Sequence, residues 1–294
     1  CLPVEHAAEN LFPAIRQSAR DYFASMGIQW HQGQNGNPSN HLCSSQVCCV
    51  NMLWPFADQP KALATVLRPL FPTLETMLPI ECGQYVACEW IGAQDYLGEA
   101  RHGGARARGA NYTSADAAVM FARRDGRRQI VLIEWKYTES YGRTALRFSK
   151  SGADRLAVYR PLLEGSDCPI DCTQLPSLDA LFYEPFYQLM RQQLLAHEME
   201  RAHELDADVV SVLHIAPEHN AAFRRVTSPA LVRLGDSATA VWTRLTRLSN
   251  RFRSTSQEQL FGRLTAEQLP KMAEWLYTVQ ARYPWAPSRA AAQA

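Results

Sequence analysis

A mixed α/β sheet flanked by helices is the fold class that three features of this sequence predict. From Glu81 onward, helical spacing gives way to short runs rich in β-favouring residues. Two of those runs flank Asp125-Gly126, a dipeptide suited to a tight hairpin turn. The run after the turn, Ile130-Val131-Leu132-Ile133, is apolar at every position, as expected of a central strand covered on both faces.

The segment Glu9 to Ser25 reads as a first helix, and Gly27 to Asn40, rich in Gly, Gln and Asn, as a loop. Small and apolar residues from Ser44 to Phe56 predict a buried helix stopped near Trp54-Pro55, and Pro60 to Leu70 a shorter one. Strands follow at Tyr85 to Ile91, Ser114 to Ala122 and Gln129 to Thr138. A long helix is expected over Pro185 to Glu204 and a strand over Asp208 to Ala216. From about Ser228 the chain reads as entirely helical, with candidates at Ala238 to Leu248, Ser256 to Leu264 and Ala266 to Ala281. The tail Arg289 to Ala294 is expected to fray. The division that results is an N-terminal helix and loop over 1–42, a core over 43–227, and a C-terminal helical extension packed on that core over 228–294.

A chain of 294 residues can bury a sizeable core, and 47% hydrophobic with 20% charged residues is ordinary for a globular protein. Apolar stretches fall far short of the roughly 18 residues a membrane helix needs, so no membrane association is expected. Cys1 to Glu9 lacks the basic start and apolar centre of a secretory signal, while the absence of a first methionine leaves the natural N-terminus open. Eight cysteines without a CxxC pair suggest reduced thiols in the cytoplasm. Charge is segregated: Arg101 to Arg160 holds thirteen Lys/Arg against five Asp/Glu, an excess of +8 in a chain of net +1. A polyanionic partner near that segment is expected.

Chemistry concentrates at Asp116, near the start of one strand, and at Glu134-Trp135-Lys136, at the end of the next. Residues two apart on a strand face the same way, so Glu134 and Lys136 share a face and Trp135 points to the other. Burying such charges is costly unless they pair, coordinate a metal or act on a ligand. Two carboxylates and a lysine suit phosphodiester hydrolysis. Hard oxygen ligands hold Mg²⁺, with Mn²⁺ as an expected substitute, and the cation polarises the phosphate and acidifies a water. Lys136 can orient that water and offset developing charge; in this motif type the backbone carbonyl of the residue between Glu and Lys, here Trp135, can supply a further metal ligand. A strict two-residue turn at Asp125-Gly126 would set Asp116 opposite Trp135, on the wrong face. A bulge or odd-length loop is therefore expected, placing Asp116 beside Glu134 or Lys136.

Asp116 followed by Glu134-x-Lys136 across a hairpin, with a helix before and a helix then strand after, resembles the PD-(D/E)XK nuclease superfamily, the restriction-endonuclease-like fold, over roughly Cys43 to Ala216. Ala115 stands where the motif's name has proline. The resemblance implies a metal-dependent endonuclease, DNA rather than RNA as substrate, a 5′-phosphate product, and a homodimer where both strands are cut. Fold analogy does not choose among restriction, another form of defence and repair, and a partner protein of a defence or repair system is compatible with each. Gln188, with Arg191 and Gln192 on the same helix face, resembles the Gln-bearing helix beside such sites, or is a solvated face. Glu89 is either a third metal ligand or an edge carboxylate facing water. Ser45, Gln46 and Asn51 are placed to reach the site, whereas Ser44 reads better as a helix cap. Arg101, Arg106 and Arg108 before Asp116, and Arg143, Arg147 and Lys150 after Lys136, are candidates to grip phosphates. The four arginines around Asp125-Gly126 read as a solvated tip.

Other chemistries have less support. His197 and His203 lie six apart, not the four that a zincin helix needs, and Cys168 and Cys172 lack a second pair. No Walker loop, dinucleotide fingerprint or nucleophile elbow occurs. The alternative from a different class is a nuclease-like module that binds nucleic acid without cutting it.

Overall fold

The computed structural model describes residues 1–100, 106–109 and 112–283. Arg101 and the Ala-rich tail, on which two expectations fall, lie outside the described residues. The helices are α1 (Arg16–Ser25), α2 (Ser45–Leu53), α3 (Pro60–Leu67), α4 (Leu156–Leu163), α5 (Phe186–Arg201), α6 (Ala238–Leu245), α7 (Gln257–Phe261) and α8 (Ala273–Arg282). The strands are β1 (Leu74–Leu78), β2 (Ala87–Trp90), β3 (Ala115–Arg123), β4 (Arg128–Trp135), β5 (Val209–Ala216) and β6 (Phe252–Ser256). Among the described residues no helix is long and apolar enough to cross a membrane.

The six strands form one mixed sheet in the order β1-β3-β4-β5-β6, and β2 shares with β1 the same edge of β3. β4 runs antiparallel to β3 and parallel to β5, and its residues from Gln129 to Trp135 are buried. Alternation along it splits the core in two. Val131, Ile133 and Trp135 pack with residues of α2 and the C-terminal helices, among them Phe261 and Trp275. Ile130 and Leu132 pack with Leu189, Met190 and Leu194 of α5. A strand buried on both faces has to read as a continuous apolar run, which is why Ile130 to Ile133 is legible as central.

The hairpin between β3 and β4 has the odd loop. Ala117 pairs with Ile133 and Ala122 with Arg128, and the amide of Arg123 donates to the carbonyl of Arg127 (2.8 Å), leaving Arg124, Asp125 and Gly126 as the loop. Gly126 has φ +80°, the left-handed position that ends a three-residue hairpin loop. Nothing lies within 4 Å of where its Cβ would stand, so a substitution there costs backbone conformation alone. Gly126→Ala is expected to lower stability by about 1 kcal/mol and Gly126→Asn by less, because Asn tolerates this region better. Urea unfolding checks it; equal losses in the two would reject the conformational explanation. The tip is held by Arg123 and Arg127 on Asp125 (2.9 and 2.7 Å).

Two strands escape the sequence reading. β1, Leu-Glu-Thr-Met-Leu, has the burial of an edge strand with two exposed residues at its centre. β6, Phe-Arg-Ser-Thr-Ser, corrects the expectation that everything beyond Ser228 is helical. It is polar because Arg253 and Ser254 are exposed, and it is a strand because β5 supplies a parallel partner from Val212 to Ala216. Expected helices also begin or end late: α8 starts at Ala273, preceded by a short 3₁₀ turn at Pro270–Met272.

Candidate active site

The odd loop decides the geometry. With Ala117 opposite Ile133, the next pair along the hairpin sets Asp116 beside Glu134; with Cys88 opposite Ala117 and Trp90 opposite Ala115, Glu89 sits on the other side of Asp116. Three carboxylates therefore form a row across β2, β3 and β4. They line a cavity of about 350 Å³ together with Lys136, Trp135 and Gln188. Glu89 is no water-facing edge residue: it is buried, and its backbone has φ +48°. A non-glycine residue in that region costs on the order of 1–2 kcal/mol, so the site holds local strain at one of its acids.

Each charge has a defined neighbour. The ammonium of Lys136 lies 2.6 Å from Glu134 Oε1, with both side chains almost wholly buried. Glu134 Oε2 accepts from Gln192 Nε2 (2.8 Å), which also donates to the carbonyl of Ser114 (2.6 Å). Asp116 Oδ2 accepts the amide of Trp135 (2.6 Å), and its Oδ1 meets no donor among the described residues. Glu89 is held by Gln46 Nε2 and Ser114 Oγ, both at 2.7 Å. Burial, then the charge of Glu134, holds the Asp116 carboxyl well above the usual range. Burial also raises Glu89, against the hydrogen bonds from Gln46 and Ser114. For Lys136, burial alone would lower the pKa, but Glu134 and the other nearby acids outweigh it and hold the ammonium charged.

The arrangement fits a hard divalent cation. Crowded carboxylates are relieved by positive charge, and Asp116 Oδ1 is an uncommitted oxygen. Among the described residues no three His, Cys, Asp or Glu side chains close into a cage by themselves. A cation held here would need water to complete its shell.

Other expected residues take varied places. Gln188 lines the cavity, its Oε1 accepting from Tyr141 (3.3 Å), but the helix residue that touches an acid is Gln192. Ser44 caps α2 by accepting from Val47 (3.3 Å), and Ser45 bonds Glu139. Asn51 turns away to Phe12, Asn10 and Tyr283. Three of the six basic residues are occupied within the chain. Arg106 donates to the carbonyls of Ile91 and Gly92, Arg108 forks onto Glu81 over the ring of Trp90, and Arg147 joins Asp154 to Asp179. Arg143 and Lys150 are exposed and make no ion pair among the described residues. Gln257, missed entirely, donates to the carbonyl of Lys136 (2.7 Å) from 121 positions away, and no local pattern could have revealed it.

His214 of β5 pairs in register with Glu134, stacks on Phe223 (4.8 Å, 10°) and has Nδ1 3.2 Å from Ser254 Oγ. Burial, then Lys136 and Arg224, pull its pKa from 6.5 down to about 3. The unfolded chain therefore binds a proton that the fold refuses, and stability present above pH 6.5 is lost as pH falls toward 3. The loss between pH 7.5 and 5 is expected to be about 2 kcal/mol. Urea unfolding of the intact chain and of His214→Asn checks it; the same acid sensitivity in both would refute the assignment.

A family model described as Restriction Endonuclease associating with ARP, REase-ARP, matches residues 1–284. The chain belongs to the REase-ARP family. The match takes in every described element, from the first 3₁₀ turn at Val4–Asn10 to α8. REase-ARP membership agrees with a restriction-endonuclease-like fold and supports a nuclease-type function with a nucleic-acid substrate. No curated protein and no solved structure matches the chain.

Proposed function

We propose that this chain is a hydrolase, an endonuclease that cuts DNA phosphodiester bonds with Mg²⁺ held by Asp116 and Glu134. The observation that carries the reading is the row Glu89-Asp116-Glu134 with Lys136 Nζ 2.6 Å from Glu134, in a cavity reached from outside. Bound there, the cation would polarise the phosphate and lower the pKa of the attacking water, with Mn²⁺ able to substitute. Asp116 offers Oδ1, Glu89 a third carboxylate, and Trp135 its carbonyl as further oxygen donors. Lys136 stays protonated beside Glu134, orients the water and offsets charge that grows on the phosphate. Gln192 holds Glu134 in place, so its carboxylate meets the substrate already oriented. Gln188 sits at the cavity wall, and of the described basic candidates exposed Arg143 and Lys150 are free to meet the DNA backbone.

Cutting both strands would be served by a homodimer, and the same reading takes in a partner protein of a restriction, defence or repair system. Free cysteines throughout the described chain are compatible with action in the cytoplasm. The test is plasmid cleavage with Mg²⁺, Mn²⁺ or EDTA. Nicking or linearisation with either metal and none with EDTA is expected. Intact plasmid that is nevertheless retarded in a salt-sensitive way would replace this reading with a binding module.

A further inference from the structure

A second cavity, of about 710 Å³, adjoins the catalytic one, and Tyr112 and Arg191 belong to the walls of both. The Nε of Arg191 donates to Thr113 Oγ1 (2.8 Å) and lies 3.5 Å from Glu99 Oε1, which fixes the guanidinium plane. Its terminal nitrogens make no hydrogen bond among the described residues. The ring of Tyr187 lies 5.3 Å from Arg191 and 5.8 Å from Arg155, another residue of the same wall. Tyr159 packs edge-on to Tyr187 (6.0 Å, 76°).

Two acids, Glu99 and Glu184, also line this space. Glu99 is committed to the amide and hydroxyl of Thr113 (both 2.6 Å) and to the hydroxyl of Tyr159 (2.6 Å). Burial holds the Glu184 carboxyl above its usual range. The cavity is of ligand size and is lined by two guanidinium groups, the rings of Tyr112, Tyr159 and Tyr187, and the side chains of Ser149 and Ser151. Flat rings suit a nucleobase, and guanidinium groups suit a phosphate.

We propose that this cavity holds one unstacked nucleotide of the substrate strand, with Arg191 and Arg155 toward its phosphates and the tyrosine-lined wall toward its base. Its place beside the cleaved bond rests on the nuclease reading above; its ligand class rests on the cavity alone. A paired base cannot enter without leaving the helix, so the preferred substrate is single-stranded or locally opened at that position.

The experiment titrates the metal-free full chain in EDTA with a deoxynucleoside 5′-monophosphate, with inorganic phosphate and with the free deoxynucleoside, by calorimetry. The monophosphate is expected to bind about tenfold tighter than either fragment. Ser151→Glu, at an exposed position, should weaken it by about tenfold with an unchanged thermal midpoint; Arg155→Gln, which also gives up a hydrogen bond to the carbonyl of Leu146 (2.8 Å), should weaken it by about tenfold as well. Equal binding of monophosphate and phosphate, or no change in either variant, overturns the proposal. A cleavage arm compares a duplex carrying one unpaired nucleotide with its fully paired counterpart. Nucleotide binding without any cutting would keep the cavity and remove the nuclease reading. Cutting of paired DNA at the same rate in both variants, without nucleotide binding, would do the reverse.

Discussion

Lys136→Met is expected to abolish plasmid cleavage, a loss of at least about 10²–10³-fold, and at the same time to destabilise the fold by about 3–5 kcal/mol. The two losses have different causes. On the proposed mechanism, activity goes because the ammonium that would offset charge on the phosphate is gone. Stability goes because Glu134, buried and bonded to Lys136 at 2.6 Å, keeps among the described residues only the hydrogen bond from Gln192. Glu134→Gln should be as inactive, and it strands the buried ammonium in its turn. The double variant Glu134→Gln with Lys136→Met removes both charges, so it should recover most of the stability while staying inactive. Urea unfolding of all four proteins closes the cycle, and the cleavage assay runs beside it. Additive stability losses would mean that the pair does not interact as its geometry requires. Full cleavage by Lys136→Met would remove this residue from the mechanism.

The second large effect concerns the C-terminal segment. A chain ending at residue 227 is expected to be insoluble or unfolded, although all of the acids and Lys136 precede that point. It would lack β6, which covers the edge of β5 from Val212 to Ala216, eight of whose residues from Val209 onward are buried. An uncovered apolar edge strand is a template for aggregation. It would also lack Trp275, whose indole donates to the carbonyl of Asn51 (2.8 Å), and Phe261, which faces Trp135 (6.2 Å). Losing one buried tryptophan alone costs about 3–5 kcal/mol, a large part of the stability of an ordinary domain. Expression of the 1–227 chain beside the full one, with circular dichroism of whatever is soluble, checks this. A cooperatively folded, soluble 1–227 protein would make the segment a true extension.

The candidate site was legible to an unusual degree because its signal is local. Asp116, the Asp-Gly turn and Glu134-x-Lys136 lie within 21 consecutive residues, and strand alternation converts spacing directly into facing. The demand that Asp116 share a face with Glu134 even required an odd loop, and Arg124-Asp125-Gly126 supplies it. The basic residues were legible only as charge. Composition along the chain could mark the segment as cationic, but whether an arginine meets solvent or an acid depends on residues such as Glu81, Asp154 and Asp179, which only folding brings near.

By itself, the sequence determined the α/β class, the central position of β4, the face shared by Glu134 and Lys136, and the need for an odd hairpin loop. The first three follow from periodicity and turn chemistry within a few neighbouring residues, and the last from requiring Asp116 and Glu134 to share a face. Only the tertiary structure decided that Glu89 turns inward, that Gln192 rather than Gln188 holds Glu134, that β6 completes the sheet, and that Gln257 reaches the carbonyl of Lys136. Those outcomes rest on contacts between segments 40 to 121 residues apart. A short polar strand or a lone glutamine has no periodic signal of its own, so the neighbour that gives it a role appears only when the chain closes on itself.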